Sequence, residues 1–207
     1  MGVGLIQPYL APALIIWRIM KRLYIDVETT GFNPYKNGII QIAGIIEINE
    51  EEKESFSFDC NVFEKDEISD KALEVNNKTR EQIAEFEDPK EVYSKLIDIL
   101  AKHINRYNRN DKFAFVGFNA SFDYDFIRAW FKKAGDKFGI GSWCWNPYID
   151  VMTIAFHFLG DKRYLMPNFK LDSVAKALKI EVDENELHDA LYDVKLTCQI
   201  YRQLLSY

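Results

Sequence analysis

Residues 23–31 read LYIDVETTG, a short apolar run that carries two acids at its end. The branched and aromatic side chains predict a buried central strand over residues 23–27. Side chains two positions apart on a strand share one face, so Asp26 and Glu28 point the same way. A single acid here is explained as the cap of the following turn. Two are poorly explained in that way, because a carboxylate in a buried strand is costly unless it is paired.

The next two apolar segments predict an antiparallel hairpin. Residues 38–48 (GIIQIAGIIEI) have the composition of a long buried strand. Residues 55–63 alternate aromatic and polar side chains, which is typical of a strand with one buried face. The acids of residues 50–52 lie between the two segments, so we expect them in an exposed turn.

The rest of the chain alternates helical and strand patterns and predicts an α/β domain with a mixed sheet. Asp88 and Pro89 open a helix, residues 113–118 form a buried strand, and Ser121 caps a helix over residues 122–133. The later predicted elements are a helix or strand over residues 149–159 and helices over residues 171–178 and 189–205.

Two further segments carry acids. In residues 117–123 (GFNASFD), Asp123 falls in the first turn of a helix after a strand, at the edge of the sheet where α/β sites form. Favourable charge placement at a helix N-terminus explains this acid equally well. In residues 188–193 (HDALYD), Asp193 lies about one turn inside the last helix and His188 in the loop before it. A capping histidine beside a solvated acid is the alternative.

Composition limits the class of protein. The chain has 207 residues, 48% of them hydrophobic, which predicts one compact unit and excludes a disordered chain. Its net charge of −6 argues against a passive, non-specific coat on nucleic acid. Three widely spaced cysteines favour a reducing compartment, and we expect a cytoplasmic protein. With only three histidines, any metal must be held mostly by carboxylates.

Residues 1–19 form an apolar N-terminal extension, and residues 20–207 form the predicted domain. The charges follow the apolar run instead of preceding it, which is unlike a signal peptide. Pro8, Pro12 and Arg18 interrupt the run, which argues against a membrane helix. The segment is interpreted as an upstream or cloning-derived extension, with a docking or packing arm and a membrane anchor as alternatives.

The three acidic segments, in this order, resemble the DnaQ-like 3′–5′ exonucleases of the DEDDh class, whose fold is ribonuclease H-like. They match the family patterns DxETTG, NxxFD and HDAxxD, and a histidine five residues before the last acid indicates the histidine class. The resemblance implies a mixed five-stranded sheet, antiparallel hairpin plus parallel strands, flanked by helices. It also implies two Mg²⁺ or Mn²⁺ ions per active site, a general base at His188, and four metal ligands: Asp26, Glu28, Asp123 and Asp193.

The resemblance also implies the substrate, which is a single-stranded or frayed 3′ end of nucleic acid, with single-stranded DNA favoured. The implied substrate contacts are Thr29, Thr30, Phe32, Leu73, Asn76 and Asn119. An exoribonuclease acting on RNA ends or oligoribonucleotides is one alternative, and a catalytically silent nucleic-acid-binding or interaction module is another. We expect no membrane partner and a polymerase or repair protein only as a transient partner. The oligomeric state stays open.

Overall fold

The computed structural model describes residues 20–206, so the predicted extension over residues 1–19 lies outside the described residues. Within that part of the chain, five strands form one sheet in the order β3-β2-β1-β4-β5. The β1–β2 and β2–β3 pairs are antiparallel, and the β1–β4 and β4–β5 pairs are parallel. The predicted mixed sheet is therefore confirmed. Its strands are β1 Lys21–Thr29, β2 Ile39–Ile48, β3 Glu51–Asp59, β4 Phe113–Gly117 and β5 Cys144–Asp150.

Helices cover both faces of the sheet and create two cores. The helices are α1 Asp70–Asn76, α2 Arg80–Glu85, α3 Pro89–His103, α4 Ala120–Lys133, α5 Val151–Leu159, α6 Leu171–Ala177 and α7 Ala190–Leu204. One core places Leu96 of α3 and Phe126 of α4 against Leu23 and Ile25 of β1. The other packs α5, α6 and α7 against the opposite face of β1, where Tyr24 lies.

The start of α4 differs from the sequence-based prediction. The N-cap is Asn119, in the left-handed conformation with φ 60°, and not Ser121. The carbonyl of Asn119 already accepts the amide of Phe122 at 3.0 Å, so the helix is under way when the chain reaches Ser121. Asparagine tolerates this conformation better than most residues, and the turn lets the helix start with only two residues between it and the end of β4.

Other elements of the fold differ from the prediction or extend it. Residues 149–159 divide at Asp150 into the end of β5 and helix α5, and α1 and α2 were not predicted. The three cysteines are buried and unpaired. Among residues 20–206, no helix is long and apolar enough to cross a membrane.

Candidate active site

Strand β1 presents two carboxylates to one face of the sheet. Leu23 and Ile25 point into the core beneath α3 and α4, whereas Tyr24 points into the core beneath α7. Because side chains alternate along a strand, Asp26 and Glu28 share the face of Tyr24. Both acids therefore approach α7, the helix that carries Asp193.

The first turn of α7 is fastened to the sheet by polar contacts. Asp189 is the N-cap, and its Oδ1 accepts the amide of Tyr192 at 3.0 Å. Gln41, which lies opposite Glu28 on β2, donates from Nε2 to Asp189 Oδ2 at 3.2 Å. The amide of Ala190 donates to Gln41 Oε1 at 3.1 Å. These bonds set where α7 begins relative to the carboxylates of β1.

His188 stands just outside that helix, in the left-handed conformation with φ 70°, and is exposed. One ligand atom from each of three residues, Glu28, His188 and Asp193, lies within 4.8 Å of the other two. The structure thus brings together a strand acid, a helix acid and a loop histidine that are far apart in sequence.

Asp123 reaches the end of β1 from α4, on the other side of the sheet. It is buried, and its Oδ1 accepts the amide of Val27 at 3.2 Å. The turn before α4 is held by Asp150, whose Oδ1 accepts the amides of Asn119 at 3.0 Å and Ala120 at 3.4 Å. Asp123 is not part of the close group of three, but burial and the charges of Asp26 and Glu28 raise its pKa.

The four carboxylates repel one another in a poorly solvated place. Burial, with the charges of Asp193 and Asp189, raises the pKa of Asp26 to about 8. Burial, with the charges of Asp26, Asp193 and Asp189, raises the pKa of Glu28 to about 9, against an opposing effect of Lys78. Burial and the charge of Asp26 also hold the pKa of Asp123 well above its usual range.

The pKa of Asp193 is raised as well. Burial raises its pKa to about 7; the backbone N–H of His188 opposes the rise, and the charges of Asp189 and Asp172 add to it. Within residues 20–206, no lysine or arginine forms an ion pair with Asp26, Glu28, Asp123 or Asp193. No ion pair within this part of the chain therefore neutralises the cluster.

These features fit divalent cations. Hard ions such as Mg²⁺ and Mn²⁺ prefer oxygen ligands, and four carboxylates supply them. Asp193 Oδ1 is buried and has no hydrogen-bond partner among the described residues 20–206, although buried carboxylate oxygens are normally satisfied. An ion bound there would satisfy this atom and offset the repulsion that raises the pKa values of its neighbours.

The residues predicted to contact substrate have two different placements. Thr29, Thr30 and Asn76 are buried and bonded within the protein: Thr29 Oγ1 donates to Gly31 O at 2.8 Å, Thr30 Oγ1 to Glu67 O at 2.8 Å, and Asn76 Nδ2 to Thr29 O at 2.9 Å. Their side chains shape the loop after β1. Leu73 is half-buried, whereas Phe32 and Asn119 are exposed.

Sequence reasoning missed two residues that position the site, Gln41 and Asp150. A signal for Gln41 was available, because it is a polar residue within the apolar run of residues 39–46. Asp150 gave a weaker signal, as an acid that follows residues 147–149 (PYI) directly before a helix. Neither belongs to the three acidic segments, and their contacts arise only when the sheet forms.

Comparison with known proteins agrees with this geometry. The family model described as Exonuclease matches residues 23–201. Ribonuclease T of Buchnera aphidicola is 28% identical over 205 residues, covering 92% of this chain and 86% of that protein. A PolC-type DNA polymerase III of Bacillus cereus is 28% identical over 185 residues, covering 87% of this chain but 11% of the polymerase.

Among solved structures, the zinc-bound complex of Escherichia coli Exonuclease I with single-stranded DNA superposes with a TM-score of 0.72 at 20% identity. It covers 91% of this chain, which spans 41% of that protein. At this identity the likeness concerns the fold.

Proposed function

This chain belongs to the exonuclease family, a family of metal-dependent 3′–5′ exonucleases, and we propose that it cleaves with two divalent ions and His188 as general base. The observation that carries the proposal is the convergence of carboxylates that form no ion pair with a lysine or arginine of residues 20–206. The proposed ion ligands are Asp26, Glu28, Asp123 and Asp193.

The carboxylates have one task, which is to hold cations beside the scissile phosphate. Bound divalent ions activate water and stabilise the departing oxygen in phosphodiester hydrolysis. Asp26, Glu28, Asp123 and Asp193 carry four negative charges, which two such ions would cancel, so that a phosphate anion could approach a chain whose formal charge is −6. The repulsion between Asp26, Glu28 and Asp193 is then balanced by the cations and the site can stay ionised.

His188 has a different task, which is to take the proton of the attacking water. Histidine is the side chain best suited to gain and lose a proton near neutral pH. Its exposed position outside α7 lets the ring meet a substrate, and its nitrogen lies within 4.8 Å of ligand atoms of Glu28 and Asp193. The imidazole accepts the proton here and then releases it to solvent.

We propose a single-stranded or frayed 3′ end as substrate, with DNA favoured. Exposed Phe32 and half-buried Leu73 offer apolar surface for a terminal base near the end of β1. The solved Exonuclease I complex, whose fold this chain shares, contains single-stranded DNA. An exoribonuclease is the second candidate, because the relative that this chain covers to 86% of its length is named Ribonuclease T.

The partner and the cellular compartment of the protein are also proposals. The PolC match is consistent with a polymerase as a transient partner. Three buried, unpaired cysteines support a reducing compartment such as the cytoplasm. A catalytically silent module is disfavoured, because the acids and the histidine of the motifs are all present.

Digestion of 5′-labelled single strands tests the function. With Mg²⁺ we expect a ladder shortened from the 3′ end, with mononucleotides released, and no digestion after chelation. Parallel DNA and RNA strands distinguish the two candidates. Asp125→Ala, on the exposed face of α4, is the matched control for Asp123→Ala. Cleavage that survives chelation, or that Asp123→Ala leaves intact, would refute the proposal.

A further inference from the structure

A surface concavity of about 480 Å³ lies at the C-terminal end of α4, away from the carboxylates. Asp123 is in the first turn of this helix and Lys132 in the last, and nine residues of helix span roughly 14 Å. The concavity is therefore separate from the candidate active site. Its lining combines cations, an aromatic ring and two glycines: Arg128, Lys132, Gly135, Asp136, Lys137, Phe138 and Gly139.

Phe138 is an aromatic side chain fixed at the surface. It is 68% exposed, although a ring of this size is usually buried. The Arg106 guanidinium lies 5.3 Å from its centroid, and Tyr107 packs edge-on at 6.4 Å. The amide of Phe138 donates to Asp136 Oδ1 at 2.7 Å, which holds the backbone at this point. The ring is thus supported in an exposed orientation.

The charges around this ring are predominantly positive. Lys132 and Lys137 are exposed, and in the described part of the chain neither has an ion-pair partner. Asp136 is the one acid in the lining, and it is already engaged by Arg106 at 2.9 Å and by the Tyr93 hydroxyl at 2.7 Å. The concavity is therefore a cationic surface on an acidic protein.

A physical connection runs from this surface toward the candidate active site. Arg128 Nη2 donates to the Tyr35 hydroxyl at 3.3 Å. Tyr35 is 66% exposed and lies in the loop that follows Thr29 and Thr30. A single strand of nucleic acid with its 3′ end at the carboxylates could follow this loop onto the last turns of α4.

An exposed ring lies beside two exposed lysines that have no ion-pair partner among the residues that the structure describes, while Arg128 is paired with Asp125 at 3.3 Å. This combination matches one partner chemistry. Single-stranded nucleic acid offers base faces that stack on aromatic rings and phosphates that pair with lysine and arginine. We propose that Phe138, Lys132 and Lys137, with Arg128, form a second binding site for single-stranded nucleic acid. This second site holds the part of the nucleic acid that lies upstream of the 3′ end. The inference rests on the proposed function.

Binding without catalysis tests the proposal. Fluorescence anisotropy of a long labelled single strand, DNA or RNA, is measured with chelator present. We expect Phe138→Ala to weaken binding about 5-fold or more, because it removes the surface on which a base stacks. Phe138→Trp should retain binding, because it keeps an aromatic ring at this position. Lys132→Glu with Lys137→Glu should lower the slope of log K against log salt by about 0.7 for each lysine.

The control carries the same change of charge elsewhere. Lys65→Glu with Lys90→Glu alters exposed lysines beside a different concavity, one that has its own acids. We expect this variant to keep most of the wild-type salt slope. Release of the terminal nucleotide from a dinucleotide should be the same in all variants, because so short a substrate cannot reach the concavity.

Unchanged affinity and salt slope in both the Phe138 and the lysine variants would overturn the inference, as would absence of strand binding by chelated wild-type protein. If Phe138→Ala lowers the melting temperature, the test rests on the affinity and salt slope of the Lys132→Glu with Lys137→Glu variant alone. Failure of the proposed function is distinguishable, because it abolishes Mg²⁺-dependent cleavage and leaves the anisotropy assay unaffected.

Discussion

The side-chain amide of Gln41 and the carboxylate of Asp189 join strand β2 to the start of α7, with Nε2 and Oδ2 3.2 Å apart. The same amide accepts the N–H of Ala190 through Oε1. Since Gln41 is paired with Glu28 across the sheet, this contact sets the distance between the strand acids and Asp193. The same contact also holds Asp189, the residue that follows His188, in place.

Gln41→Leu therefore tests positioning. The change removes both bonds and leaves Asp189 and the Ala190 amide without this partner, which typically costs about 1–3 kcal/mol. We expect a higher Mg²⁺ concentration at half-maximal activity and a lower rate at saturation. Gln203→Leu is the control, because Gln203 bonds the Leu178 carbonyl near the other end of α7. An equal Mg²⁺ shift in both variants would contradict the positioning role.

His188→Ala separates base catalysis from ion binding. Removal of a general base typically lowers turnover ~10²–10⁴-fold, whereas the carboxylates that would hold the ions remain. We expect turnover to fall in this range while the affinity for Mn²⁺ changes little. Steady-state kinetics with saturating Mg²⁺ provides the measurement. A fully active variant would show that the proton goes elsewhere.

Asp193→Asn should act in opposite directions on activity and on stability. It removes a proposed ion ligand, so we expect loss of cleavage. It also removes a charge that raises the pKa values of Asp26 and Glu28, so the chelated variant should melt no lower than chelated wild type near pH 8. Asp125→Asn, an exposed acid, serves as control. Cleavage at the wild-type rate would contradict the assignment.

The stability of the ion-free protein should fall as pH rises. Burial and mutual repulsion raise the pKa values of Asp193, Asp26 and Glu28 to about 7, 8 and 9. Between the ordinary values near 4 and these raised values the folded state binds more protons than the unfolded state, so stability decreases with pH. It is fully present below about pH 4 for these groups and lost as pH passes through about 7 to 9.

Melting of chelated protein between about pH 5 and pH 9 measures this dependence. We expect the melting temperature to decline over that window, and Mg²⁺ to reduce the decline because the ions stabilise the ionised carboxylates. A chelated protein whose stability rises across the window would show that these carboxylates are not mutually destabilising.

Glu47→Gln tests how much a buried ion pair stabilises the end of the sheet that lies away from the candidate active site. Glu47 is buried and pairs with Arg22 and Arg202, each at 2.6 Å. Breaking a buried pair by removing one partner leaves the buried Arg22 charge uncompensated and costs about 3–5 kcal/mol. Urea unfolding measures the loss, and Glu51→Gln, in an exposed pair with Lys53, should cost far less. Equal losses would contradict the argument.

Strands β1 to β4 and the positions of the three acidic segments on their elements were predictable because they depend on local patterns. Most of β5, by contrast, was not predicted from its own residues, and a fifth strand was implied only by the family resemblance. The alternation of β1 places Asp26 and Glu28 on one face, and the helical position of Asp193 follows from the last helix. The roles of Gln41 and Asp150 were not predictable, because they depend on contacts across 148 residues and 31 residues of chain. The N-cap at Asn119 was missed because its left-handed conformation depends on where β4 ends.

Titration of Mn²⁺ into the chelated protein, followed by electron paramagnetic resonance, tests the central claim most directly. The account predicts two bound ions per chain for the wild type and weakened or lost binding in Asp26→Asn, with Asp125→Asn unchanged. A wild-type protein that binds no Mn²⁺, or an Asp26→Asn variant that binds it equally well, would contradict the claim that these acids assemble to hold catalytic cations.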